Sequence, residues 1–169
     1  MFALARLLTE ICLFRKGPED LPASGTLLGF LLVINIVVSM TLYSTINDTT
    51  VLSAATLVVA SLAGTAGLVW LILNLMNHVQ RFIQTFTALI GVDVVLTCVT
   101  ALIAALTLQE DGTLATAGNY ALLGLMVWNL SVYATIFQRA LEVHVAIGLG
   151  MALFVVIFSV AIGQVAVTG

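Results

Sequence analysis

The sequence predicts an all-α, polytopic membrane protein: a bundle of five transmembrane helices preceded by an N-terminal interfacial amphipathic helix. Three observations predict it. Of 169 residues, 62% are hydrophobic and only 8% charged, where soluble globular domains carry roughly 25% charge. Five separate stretches are each long enough to cross a hydrocarbon layer of about 30 Å, which takes about 20 apolar helical residues. All five lysines and arginines fall before the first stretch or in alternate connections between stretches. The mean hydropathy of +1.21 agrees, and the whole of 1–169 reads as a single membrane domain.

The N-terminal "MFALARLLTEICLFRK", residues 1–16, is the amphipathic element. Leu4, Leu7, Leu8 and Ile11 follow helical spacing while Arg6, Glu10 and Lys16 lie towards another face, the pattern of a helix lying at the lipid interface. Gly17 and Pro18 are expected to end it. Glu10 interrupts its apolar stretch and no cleavage-site pattern follows, so the first span is expected to act as an uncleaved anchor.

The spans are expected at about 26–46, 51–76, 83–108, 114–137 and 143–166. Their connections, "INDTT", "NHVQR", "QEDGT" and "RALE", leave no room for an extramembrane domain, so consecutive helices must run antiparallel. Arg6, Arg15 and Lys16 precede the first span, Arg81 lies between the second and third, and Arg139 between the fourth and fifth. The opposite connections hold only Asp48, Glu110 and Asp111. The positive-inside rule therefore predicts an integral protein with its N-terminus cytoplasmic and Gly169 outside. Those five basic residues form the expected charged contacts of the cytoplasmic face, and anionic lipid headgroups are their natural counter-ions.

The third span, "ALIGVDVVLTCV", carries Asp93 at its centre. Insertion costs about 2.5–3.5 kcal/mol for such an aspartate, and its apolar neighbours return about 3–7 kcal/mol, so the helix can insert. The carboxylate still needs a partner or a proton, because a bare charge facing lipid is unsatisfied. At 1.5 Å per residue Asp93 lies about 16 Å from Phe82, near the midplane. Asn35 in the first span, Thr65 in the second and Asn129 in the fourth fall at similar depth, which suggests one intramembrane polar site of Asp93, Asn35, Asn129 and Thr65. Asp93 is either a proton or cation site or a satisfied residue that sets helix register.

Other chemistries find little support. The sequence carries no HExxH pattern, no pair of acids resembling an intramembrane protease, and no Cys/His cluster for a metal. Cys12 and Cys98 are expected at different depths and should not pair. Five scattered basic residues offer no nucleic-acid surface. No catalytic residue, metal or cofactor is therefore expected, although His78 and His144, at helix ends, leave haem ligation as an outlying alternative. Ala60 with Gly64, Ala63 with Gly67 and Ala146 with Gly150 are small-xxx-small pairs suited either to a tight bundle or to an oligomer face. Trp128, beside Asn129, is expected in the core.

Two stretches resemble the Yip1 family of small five-span membrane proteins. "RFIQTFTALIG" from Arg81 to Gly91 is similar to the basic-aromatic-polar start of that family's third span, and "WNLSVYATIFQRALEVHVAIGLG" from Trp128 to Gly150 is similar to its fourth-to-fifth span connection, with the Arg139–Ala140 pair. The eukaryotic members carry a longer N-terminal region, and a proline often found in the family's third span is missing here. These departures would suit a bacterial relative, and so a place in a bacterial inner membrane rather than a vesicle-traffic role. The resemblance implies a non-enzymatic protein that organises membranes or binds partners and supplies no catalytic residue. The leading functional expectation is a small subunit or scaffold of a larger membrane assembly, meeting other membrane proteins or its own copies in the lipid bilayer. The alternative is an ion- or proton-coupled transporter or channel component centred on Asp93.

Overall fold

The computed structural model describes residues 2–47, 50–107 and 113–168. It contains α1 (Phe2–Cys12), α2 (Gly25–Asn47), α3 (Val51–Leu75), α4 (Phe82–Thr107), α5 (Thr113–Leu141) and α6 (Val145–Thr168), with 3-10 turns at Pro18–Asp20 and Val79–Arg81. Helices α2 to α6 are long and apolar enough to cross a membrane. Their limits follow the expected spans closely except around the last connection, where α5 runs on to Leu141 rather than stopping near residue 137 and α6 starts at Val145. The loop acids Asp48, Glu110 and Asp111 lie outside the described residues.

Three helices end with a left-handed residue that is not glycine: Phe14 (φ 61°), Asn77 (φ 59°) and Glu142 (φ 56°). Each is followed by an amide that reaches back five residues, Arg15 to the Glu10 carbonyl, His78 to Leu73 and Val143 to Gln138. These are Schellman closures, which satisfy carbonyls a helix end would leave orphaned. Here lies the first departure from expectation. Helix α1 ends at Cys12, before Gly17 and Pro18, because the Phe14 closure turns the chain first; Pro18 instead opens the 3-10 turn.

The spanning helices close into a ring in which α2 meets α4, α4 meets α5, α5 meets α6, α6 meets α3, and α3 returns to α2. Short connections make consecutive helices antiparallel, and five alternating helices in a ring must leave one parallel neighbour pair. That pair is α2 and α4: the Gln84 amide near the start of α4 donates to the Leu21 carbonyl, which precedes α2, at 2.9 Å. Glycines permit the closest crossings. A side chain at Gly64 would meet Ile162, one at Gly163 would meet Ser61, and one at Gly148 would lie 2.6 Å from the Ala134 carbonyl oxygen. The small pairs read from sequence thus divide. Gly64 packs inward, whereas Ala63, Gly67, Ala146 and Gly150 are exposed, with open space around both glycines.

Enclosure is uneven around the ring. In α4, 33% of the span is buried, against 11% in α2, because α4 is also covered by α1 and by the Pro18–Asp20 turn. The apolar stripe of α1 docks on protein: Leu8, Ile11 and Cys12 are buried, and Leu8 fills the space that a side chain at Gly91 would occupy. Trp128 does not join the core. It is 43% exposed, and its indole Nε1 donates to the Cys12 carbonyl at 3.1 Å while its ring lies 5.6 Å from that of Phe14. The polar indole edge is satisfied only at the margin of α5 that faces α1, which explains the outward position.

Candidate functional site: a polar chamber lined by five helices

Asp93 occupies the middle of the best-enclosed helix. Its carboxylate accepts two hydrogen bonds from α5, one from the Tyr133 hydroxyl at 2.7 Å and one from the Asn129 amide at 3.4 Å. Asn129 and Tyr133 are four residues apart, so one face of α5 presents both donors to α4. Tyr133 is buried, and its phenol needs such a partner.

Opposite stands a second polar group, at the α3–α6 crossing. The Ser61 hydroxyl donates to the Ser159 carbonyl at 3.2 Å, and the Ser159 hydroxyl donates to the Ser61 carbonyl at 3.3 Å. Thr65 donates to the Ser61 carbonyl at 2.8 Å and lies 3.0 Å from the Ser159 hydroxyl oxygen. Gly64 and Gly163 let the helices come close enough for this exchange.

Between the two groups lies a cavity of about 280 Å³. Its polar lining comes from every spanning helix: Asn35 and Ser39 of α2, Ser61 and Thr65 of α3, Asp93 and Thr97 of α4, Asn129 and Tyr133 of α5, and Ser159 of α6. Asp93, Asn35, Asn129 and Thr65, the four residues expected to share one layer, all border it. They do not form one hydrogen-bonded set, since Asp93 bonds to Asn129 and Tyr133 while Thr65 bonds across to α6. Asn35 is only 4% exposed and its amide makes no hydrogen bond among the described residues. A buried amide without a partner costs about 1–3 kcal/mol, so the chamber carries an unmet polar demand.

Sequence reading did not single out Tyr133, Ser61, Ser159, Ser39 or Thr97. Tyr133 carried a usable signal, one helical turn after Asn129. The serines carried none, because hydroxyls are common in membrane helices and usually bond their own backbone, as Thr85 and Thr87 do here.

A larger cavity of about 590 Å³ opens at the end of the bundle that carries Arg81 and Arg139, lined also by Glu19 and Glu142. Its charges are mutually spent. Arg81 pairs with Glu142 at 2.6 Å and donates to the Ala140 carbonyl at 3.2 Å; Arg139 pairs with Glu19 at 3.4 Å and donates to the Phe14 carbonyl at 3.3 Å. Arg6 and Lys16 both pair with Glu10, and Arg15 makes no ion pair among the described residues. The Arg81 bond holds the Glu142 carboxyl below its ordinary value, and Arg6 and then Lys16 do the same for Glu10. Arg81 and Arg139 thus fasten this end of the fold, while Arg6 and Lys16 pair within the N-terminal segment.

His78 and His144 cap backbone at helix ends, Nδ1 of His78 lying 2.6 Å from the Met76 carbonyl and Nδ1 of His144 accepting from the Ala146 amide. Among the described residues no three His, Cys, Asp or Glu side chains gather in a way that could hold a metal. Cys12 is buried and Cys98 exposed, both as free thiols.

Fold and site together define the class: an α-helical integral membrane protein of five spans around a polar chamber. Comparison with protein-family models, with curated proteins and with solved structures gives no significant match to this chain.

Proposed function

We propose that this protein is a non-enzymatic component of an ion- or proton-coupled transporter or channel, with Asp93 as its membrane-embedded site. The observation that carries this reading is the convergence of polar groups from all five spanning helices on one chamber containing a carboxylate and no cationic side chain. An intramembrane acid facing such a chamber marks ion or proton paths. The internal pairing of Arg6, Lys16, Arg81 and Arg139 also takes weight from a free charged face as the working surface. The orientation that belongs to this reading has the arginine-bearing end in the cytoplasm, on the positive-inside rule. Reconstituted into liposomes, the wild type should pass protons or monovalent cations under an imposed gradient. Asp93→Asn, nearly isosteric, should reduce that flux at least tenfold while the purified protein keeps its helical circular dichroism. Equal flux in the two proteins would refute the proposal.

A second reading, a small subunit or scaffold of a larger assembly such as the Yip1 resemblance implies, is favoured by a separate observation. Ala63 with Gly67 and Ala146 with Gly150 point away from the bundle with open space above the glycines, where another helix can approach closely. Gentle purification from the native membrane, followed by mass spectrometry, tests it: a stoichiometric partner supports the subunit role, and a lone chain counts against it.

A further inference from the structure

The donor and acceptor inventory of the chamber restricts what fills it. Each hydroxyl has one proton to give, and those of Ser61, Thr65 and Ser159 are already given to protein oxygens. Their remaining lone pairs are acceptors. The Asp93 carboxylate offers about four acceptor positions, of which Tyr133 and Asn129 use two. Asn129, having turned its amide nitrogen to Asp93, retains its carbonyl oxygen, and Asn35 retains its own. Set against these are the amide protons of Asn35, the second amide proton of Asn129 and the hydroxyls of Ser39 and Thr97, and no Lys, Arg or His borders the cavity. The chamber is therefore rich in oxygen acceptors and carries one uncompensated negative charge in a region that disfavours one.

We propose that the chamber is a binding site for a hydrated monovalent alkali cation, held by the Asp93 carboxylate with oxygen ligands from Asn35, Asn129, Thr65 and Ser159. The inference deepens the reading of Asp93 as an ion or proton site and rests on it. Two features favour a cation over a proton alone. The Asn35 amide is buried without a partner among the described residues, and an oxygen-coordinated ion with its water supplies one to its carbonyl oxygen. A cavity of about 280 Å³ also exceeds what a proton needs, whereas a water in liquid takes about 30 Å³. A single carboxylate suits a monovalent ion, since calcium sites gather several charged oxygens and magnesium demands a near-ideal octahedron.

The test is thermal unfolding of the purified full chain in sodium, potassium or lithium chloride against choline chloride at equal ionic strength, in wild type, Asp93→Asn and Asn35→Leu. Wild type should gain about 5 °C at a hundredfold excess of the preferred alkali ion over its Kd. The gain should be absent in Asp93→Asn, and Asn35→Leu should need at least tenfold more ion. Wild-type unfolding identical in every alkali salt and in choline overturns the cation. If the melting temperature then still follows pH in wild type but not in Asp93→Asn, the proton reading of Asp93 stands while the cation fails. If it follows neither pH nor ions, both fall. Asn35→Leu guards against misreading an unstable Asp93→Asn, since leucine fills the same volume without an oxygen ligand.

Discussion

At the scale of single residues, the positions that matter most are those where backbone meets backbone. Gly148 is the clearest. An added methyl there would lie 2.6 Å from the Ala134 carbonyl oxygen and 3.1 Å from the Gln138 amide nitrogen, and neither atom can swing aside as a side-chain tip does. Gly148→Ala must push α5 from α6, at a cost of about 1–3 kcal/mol. Gly150→Ala, two residues on and facing open space, should be neutral or slightly stabilising through helix propensity. Denaturation of the two variants side by side should separate them by a clear shift in midpoint; equal midpoints would show that α5 and α6 do not cross at Gly148. The pattern "GLG" was visible in sequence, but which glycine touches α5 depends on helix rotation. The sequence pairing of Ala146 with Gly150 marked the exposed side.

At the scale of elements, α1 is the part whose placement has most consequence. It was legible as amphipathic, yet amphipathicity alone does not say whether the apolar stripe meets lipid or protein. The structure lays it against α4, with Leu8 over Gly91, and fastens the following turns through Trp128, Arg139 and Gln84. Burial, reinforced by the Asp93 charge, pushes the Cys12 thiol from its ordinary 9.0 up to about 11. Thiolate being the reactive form, docking alone should slow Cys12 alkylation at pH 8 about a hundredfold, the difference between those two values. In a Cys98→Ser background, Gly91→Leu should displace Leu8, undock α1 and restore ordinary labelling; unchanged slow labelling would contradict this docking. Acid should loosen the fastening as well. The Glu142 carboxyl sits below its ordinary 4.5 because of Arg81, so this pair contributes above about pH 4.5 and loses its contribution as pH falls through the lower, folded value. Both side chains are substantially exposed, which keeps the effect small.

At the scale of the whole molecule, a ring of only five helices buries little of each, and the outer surface is left to lipid or to neighbours. Val33, Val37, Leu52, Val59, Trp70 and Ile157 are among the large apolar side chains on that surface, as expected where hydrocarbon is the solvent. If the outward glycines at 67 and 150 mark an interface, Gly67→Trp or Gly150→Trp should reduce co-purification of the partner, or convert an oligomer to monomer on sizing, without altering chamber-dependent ion effects. Loss of both together would instead indicate that the bundle itself had been disturbed.

The sequence by itself determined that the chain is helical, that it spans a membrane five times, roughly where each span lies, and that Asp93 is anomalous. Those properties follow from length and composition along the chain, because lipid requires every backbone group to be bonded within its own helix. Only the tertiary structure decided that α2 and α4 stand parallel as neighbours, that α1 covers α4, that Tyr133 rather than Thr65 meets Asp93, and that Asn35 is left without a partner among the described residues. Those properties depend on the rotation of each helix about its axis. In the five spans, apolar residues surround every face, so no amphipathic stripe reports that rotation, and it is set by where glycines permit contact and where hydroxyls and amides find partners across the ring.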